Sequence, residues 1–162
     1  MKCILCARNA KGELCTRHNK LYVWEPNLQG YRLKKHNTGS RYTRAKFHKT
    51  EIKLAQIIED YFGKSDVVTE FHPIWAKSDK GVLLEYDILL IKEKILVEFN
   101  GIQHYNWTKL FQKNLIDFLE QKDRDVLKAK LAKENNYTLI TFKYDEPIVK
   151  NYVIFKIKGQ QL

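Results

Sequence analysis

Glu85-Tyr86-Asp87-Ile88-Leu89-Leu90-Ile91 and Ile95-Leu96-Val97-Glu98-Phe99-Asn100-Gly101-Ile102-Gln103-His104-Tyr105 are two apolar runs separated by Lys92-Glu93-Lys94. Their length and β-branched content predict two strands joined as a hairpin. Each run carries one carboxylate, Asp87 or Glu98, among residues that otherwise want to be buried. A carboxylate beside Val, Ile and Leu is costly unless a cation or a partner compensates it, so this pair reads as a metal seat. Strand alternation puts Asp87 on one face with Glu85, Leu89 and Ile91, with Tyr86 and Ile88 on the other, and groups Glu98 with Leu96 and Asn100. Gly101 lets the chain redirect sharply and brings Gln103 and His104 toward the acids, where histidine suits proton transfer near neutral pH. Taken singly, His104 also reads as a packed histidine and Glu98 as the partner of a lysine.

Outward from this hairpin, helical spacing begins near Lys46, with Leu54, Ile57, Ile58, Tyr61 and Phe62 on one stripe and Gly63 as a stop. Glu51 precedes Leu54 by three residues and Ile58 by seven, so it shares their inward face; it either reaches a site beneath the helix or complements the helix dipole. A strand is expected over 67–71, then a loop holding Pro73 and Gly81. Residues 112–135 read as a helix with Leu115, Phe118, Leu119, Val126, Leu127 and Leu131 available for packing. Residues 138–142 read as a strand, and the alternating tail 148–157 as a further one. Gln121, Asp125 and Lys128 fall on one helical face, where Lys128 can neutralise phosphate charge or simply pair with Asp125 at the surface. The elements together predict an α/β domain.

The N-terminus reads Cys3-x2-Cys6-x8-Cys15-x2-His18 and uses every cysteine of the chain. Two short-spaced ligand pairs across a small loop suit tetrahedral Zn2+, and a closed Cys3His shell implies a structural ion holding a module too small to fold alone. The alternative is a set of ordinary thiols beside a surface histidine. Residues 1–22 form this module, 23–45 a basic connector or DNA-binding arm, and 46–162 the main domain. Residues 26–50 contain no Asp or Glu but carry Arg32, Lys34, Lys35, Arg41, Arg44 and Lys46 among Tyr31, His36, Tyr42, Phe47 and His48. Such a segment suits a polynucleotide backbone, with a solvated linker as the plainer reading.

The chain has 162 residues, 29 Lys and Arg against 19 Asp and Glu, and a net charge of +10, which favours a polyanionic partner. No apolar stretch approaches the roughly 18 residues of a membrane span, and cysteines occupy the place of a signal peptide's apolar block, so a soluble, intracellular, cytoplasmic protein is expected. An odd number of clustered cysteines favours a metal site in a reducing compartment over disulfides.

Residues 46–145 resemble the PD-(D/E)XK nuclease superfamily, in the branch similar to very short patch repair endonucleases, the EDxHD group, and phage homing endonucleases. The likeness rests on Glu51, on Asp87, on the string from Glu98 to Tyr105 with its Gly-x-Gln-His-Tyr ending, on Arg124-Asp125-Val126-Leu127-Lys128, and on Tyr137-Thr138-Leu139-Ile140. It implies a central mixed sheet flanked by helices, catalytic Mg2+ held by Asp87 and Glu98, and supporting roles for Glu51, Gln103, His104, Asp125 and Lys128. The superfamily's usual lysine two residues after the second acid is Asn100 here, so Gln103, His104 or Lys128 must take its part. The cysteine module is similar to small zinc modules that phage nucleases carry ahead of a catalytic domain. The resemblance thus implies a Mg2+-dependent endodeoxyribonuclease acting on double-stranded DNA, of the homing or site-specific nicking kind, with a homodimer left open. The rivals are a non-catalytic DNA-binding protein on a nuclease scaffold and an RNA-binding zinc protein.

Overall fold

The computed structural model describes residues 1–34, 49–105 and 115–159. After the cysteine-bearing loop come α1 (Thr16–Leu21), β1 (Tyr22–Glu25), β2 (Gly30–Leu33), α2 (Lys49–Phe62), β3 (Val67–Pro73), β4 (Tyr86–Leu90), β5 (Ile95–Asn100), α3 (Leu115–Glu134), β6 (Thr138–Lys143) and α4 (Lys150–Lys158). The six strands form one mixed sheet in sequence order. Neighbours from β1 to β5 are antiparallel, and β6 lies parallel to β5 after the crossover through α3. The α/β class and the β4–β5 hairpin are as the sequence predicts.

Apolar residues cover both faces of this sheet. On one, Leu54, Ala55 and Ile58 of α2 and Val153, Ile154 and Ile157 of α4 pack on Val67, Ile88, Leu90, Ile95, Val97, Ile140 and Phe142. On the other, Ala132 of α3, supported by Leu127 and Leu131, covers Val68, Leu89 and Leu96 beside Phe71 and Tyr86. Gly63 ends α2 in the left-handed region with φ +93°, its N–H bonded to the Glu59 carbonyl at 3.0 Å.

Four expectations need correcting. The tail is helix α4 rather than a strand: Val153, Ile154 and Ile157 are its buried residues, a helical spacing, while Phe155 is 75% exposed. The stretch expected to be a connector begins instead with β1 and β2, whose hairpin pairs onto β3 through Gly30↔Pro73 and Tyr31↔His72. That junction is tight, since a Cβ at Gly30 would stand 2.6 Å from Phe71 Cε2 and 2.8 Å from the His72 carbonyl oxygen. Leu115, Leu119 and Val126, expected to pack, are exposed on α3, whose contact with the sheet is made by its C-terminal half.

A fourth correction concerns Asp87. Tyr86 packs on the α3 face and Ile88 on the α2–α4 face, so alternation slips between them. The same slip occurs in the partner strand between Val68 and Phe71, both on the α3 face. Register puts Glu70 opposite Asp87 within this run, and Glu70 takes φ +50°, a left-handed conformation that a strand residue adopts only where the ladder is disrupted. Asp87 therefore sits at an irregularity of the sheet, where simple alternation does not apply.

Candidate metal and catalytic centres

The first centre is local in sequence. Cys3, Cys6, Cys15 and His18 offer ligand atoms that all lie within 4.8 Å of one another. Cys3 Sγ is 3.3 Å and Cys15 Sγ 3.6 Å from His18 Nδ1, and Cys6 Sγ is 3.9 Å from Cys15 Sγ. A tetrahedral ion with bonds of roughly 2.0–2.3 Å has ligand edges of about 3.5–3.8 Å, so the donor set fits Zn2+. Cys15 caps α1, and the His18 backbone amide holds its thiol below the ordinary value, which favours the ligating thiolate. Cys3, Leu5, Cys15, Tyr22, Tyr31 and Leu83 form a small apolar cluster around the centre. Leu83, just ahead of β4, donates its N–H to the Ile4 carbonyl at 2.7 Å, so the cysteine loop is pinned to the rest of the fold.

The second centre is assembled from four distant elements at the C-terminal end of β5. Glu98 is 7% exposed; its Oε2 receives the Lys128 ammonium from α3 at 2.6 Å, and its Oε1 has no hydrogen-bond partner among the described residues. Asp87 accepts the Phe99 N–H at 2.7 Å. Burial and the neighbouring Asp87 charge push the Glu98 carboxyl up to about 8, against the opposing pull of Lys128. Burial likewise raises Asp87. For Lys128, burial favours the neutral amine, but Glu98 and Asp87 outweigh it and the ammonium is held more firmly than usual. Its Nζ also lies 5.0 Å above the Tyr86 ring, whose hydroxyl donates to the Lys128 carbonyl at 2.9 Å, so sheet and helix are tied where the charges meet.

The remaining residues singled out from the sequence fall around this core. His104 Nδ1 is 2.9 Å from Asp125 Oδ2. Gln103 folds its amide back over Gly101, into space a Cβ there would fill, so a larger residue at 101 would displace this amide. Glu51, half-buried, lines a crevice with Leu54, Thr69, Asp87 and Phe99, which places it on the Asp87 side of the site. Glu51, Asp87, Glu98, Gln103, His104, Asp125 and Lys128 thus converge on one end of the sheet. Of the basic residues expected to grip DNA, Arg32 pairs with Glu25 across the β1–β2 hairpin at 2.5 Å, and Lys34 donates to the Asn19 carbonyl of α1 at 2.7 Å. Lys35, Arg41, Arg44 and Lys46 lie outside the described residues.

Glu70 and His72 escaped the sequence reading, because β3 looked like an ordinary apolar strand. Glu70 is buried and accepts the Tyr22 hydroxyl at 2.6 Å. His72, 5% exposed, places Nε2 3.2 Å from Glu85 Oε2 without hydrogen-bond alignment, and its Nδ1 has no partner among the described residues. Glu70 and His72, an acid and a histidine in alternation within an otherwise apolar strand, were the available signal. Among the described residues no helix is long and apolar enough to cross a membrane.

No family model matches the chain, and no solved structure matches it significantly. It is similar to Uncharacterized protein 307L of Invertebrate iridescent virus 6, at 36% identity over 87 residues, or 54% of this chain. The match spans 44% of that viral protein, less than half its length.

Proposed function

We propose that this chain is a Mg2+-dependent DNA endonuclease of the PD-(D/E)XK type, with Asp87 and Glu98 as its metal ligands. The observation that carries the reading is the Asp87–Glu98 pair, Glu98 buried and Asp87 half-buried, which disfavours its own double charge and leaves Glu98 Oε1 without a partner among the described residues. Hard divalent cations take carboxylate oxygens, and two acids that resist sharing a negative charge are relieved by one. When bound, Mg2+ would supply Lewis-acid polarisation of the scissile phosphate and lower the pKa of an attacking water.

The chain's own residues account for the rest. Asp125 holds His104 by Nδ1, which orients the ring and leaves Nε2 to accept or deliver a proton. Lys128, from a helix rather than from the strand position held by Asn100, brings a fixed positive charge to Glu98 and to any phosphate seated against it. Glu51 extends the acidic crevice beneath α2, and Gln103 offers an amide at the strand end. The net charge of +10 suits a phosphodiester substrate. The Cys3His cluster, with four ligands and no open position, takes the role of a structural zinc site.

Incubating supercoiled plasmid with zinc-loaded protein and Mg2+ tests the reading. Nicked or linear product is expected, and Asp87→Ala should lower the rate by at least about a thousandfold while leaving DNA binding within a few-fold of wild type. Equal cleavage by Asp87→Ala would refute the assignment. Binding without cleavage across diverse DNAs would favour the non-catalytic scaffold, for which the substitution of Asn100 is the supporting observation.

A further inference from the structure

A cleft of about 250 Å3 separates the cysteine loop from the sheet, lined by Arg8, Arg17, His18, Tyr22, His72 and Glu85 among others. Arg8 and Arg17 are exposed and enter no ion pair among the described residues. They approach the cleft from the cysteine loop and from α1, two segments fixed by the Cys3His cluster. The opposite wall is polar: His72 is buried there with Nδ1 unpartnered among the described residues, in a position where a strand would ordinarily carry an apolar side chain. Glu85 joins the cleft to the acid centre, standing 3.2 Å from His72 and contributing its charge to the fields at both Asp87 and Lys128.

From this juxtaposition we infer that the cleft is a phosphate subsite for duplex DNA, where Arg8 and Arg17 hold a backbone phosphate next to the one presented to Asp87 and Glu98. The inference rests on the nuclease reading only for what happens at the neighbouring phosphate. Two arginines lining a cleft whose far wall carries a buried histidine suit a tetrahedral phosphodiester oxyanion, which arginine binds through paired N–H donors. Glu85 opposes the anion, so it sets the boundary between the subsite and the acid centre and disfavours a strand lying too far toward Asp87. The zinc module then acts as a register device: it fixes where the backbone enters, not which bases are read.

The test is binding of a 30-base-pair DNA duplex to the full zinc-loaded chain in Mg2+-free buffer, over a range of salt. The double variant Arg8→Ala/Arg17→Ala should bind about tenfold more weakly, with a log K against log salt slope shallower by about 1 to 2. Lys94→Ala, in the turn at the far end of β4 and β5, should stay within about twofold. Zinc content and melting temperature check that the variants fold. Should the arginine variant fail to fold, Glu85→Gln tests the same cleft from its acidic side and should tighten binding about threefold. Wild-type affinity and slope in the arginine variant, or no tightening in Glu85→Gln, would overturn the inference, as would tighter binding of a matched RNA duplex. Because Mg2+ is absent, a chain that cuts nothing but needs both arginines keeps the subsite and loses the nuclease reading. A chain that cuts yet ignores the arginines does the reverse.

Discussion

Two lysine–glutamate pairs in this molecule have the same geometry and opposite electrostatics. Lys128 meets Glu98 and Lys156 meets Glu146, each at 2.6 Å and each largely withdrawn from water. Around Glu146, burial acts against the charged form but is outweighed: Lys156, the Tyr152 hydroxyl at 2.8 Å and the Lys143 N–H at 3.3 Å all stabilise the carboxylate, and its pKa falls. Around Glu98, burial and the Asp87 carboxylate prevail over the lysine, and the pKa rises to about 8. The difference lies in the third partner. Glu146 closes a bond from α4 to the end of β6 and is satisfied, whereas Glu98 faces a second acid and keeps an oxygen without a partner among the described residues. A satisfied pair stabilises the fold, and a frustrated one held in place by its surroundings is the mark of a site.

Removing each lysine should break the symmetry most visibly. Lys128→Met leaves two acids buried against each other with no cation, and should cost on the order of 3–5 kcal/mol in the metal-free protein at pH 8. Lys156→Met should cost only about 1–2 kcal/mol, because Tyr152 and the Lys143 amide still hold Glu146. Urea denaturation of both variants measures this; equal losses would mean that the two pairs do the same work.

The pH dependence of stability should separate the pairs by sign. Glu146 has a folded pKa below its unfolded value near 4.5, so its stabilisation is present above pH 4.5 and is lost as pH falls through the lower folded value. Glu98 has the reverse shift. Folded, it binds its proton more tightly than unfolded, so its favourable contribution is complete below about pH 4.5 and is lost as pH rises toward 8. Denaturation midpoints of metal-free Glu98→Gln and Glu146→Gln against wild type, from pH 3 to 9, should therefore flatten different limbs of the curve. Flattening of the acid limb by both variants would contradict the reversal.

A smaller effect concerns the acid pair itself. Asp87→Asn removes the repulsion but keeps the Phe99 N–H acceptor, and should stabilise the metal-free fold by about 1 kcal/mol while lowering the Glu98 pKa. Destabilisation by a similar amount would show that Asp87 is structural.

The legible parts of this fold are those whose information is local. Cys3, Cys6, Cys15 and His18 announce a cluster through spacing within 16 residues, and the structure gathers them. The inward stripe of α2, except Tyr61, which is exposed, and the β4–β5 hairpin follow from period and turn chemistry. That His104 meets Asp87 and Glu98 was legible from the hairpin and the turn at Gly101, but that Asp125 and Lys128 join them was legible only through a family resemblance, since no periodicity brings α3 over the end of β5. Alternation failed at Asp87 because Glu70, in the facing strand, adopts a left-handed conformation that no side-chain pattern encodes. The tail 148–157 suggests a strand because its ten residues of mixed apolar and basic character satisfy both periods, and only packing against α2 selects the helical stripe Val153, Ile154 and Ile157. The β1–β2 hairpin was hidden inside a basic stretch whose charges suggested an extended arm.

The most direct measurement is the electron paramagnetic resonance titration of zinc-loaded protein with Mn2+, a spin-bearing stand-in for Mg2+, beside Asp87→Asn. Saturable Mn2+ binding that is lost in Asp87→Asn while zinc stays at one per chain is the predicted result, because the acid pair and the Cys3His cluster then act as two separate centres, one open and one closed. Mn2+ binding unchanged in Asp87→Asn, or no saturable binding in the wild-type protein, would contradict the account.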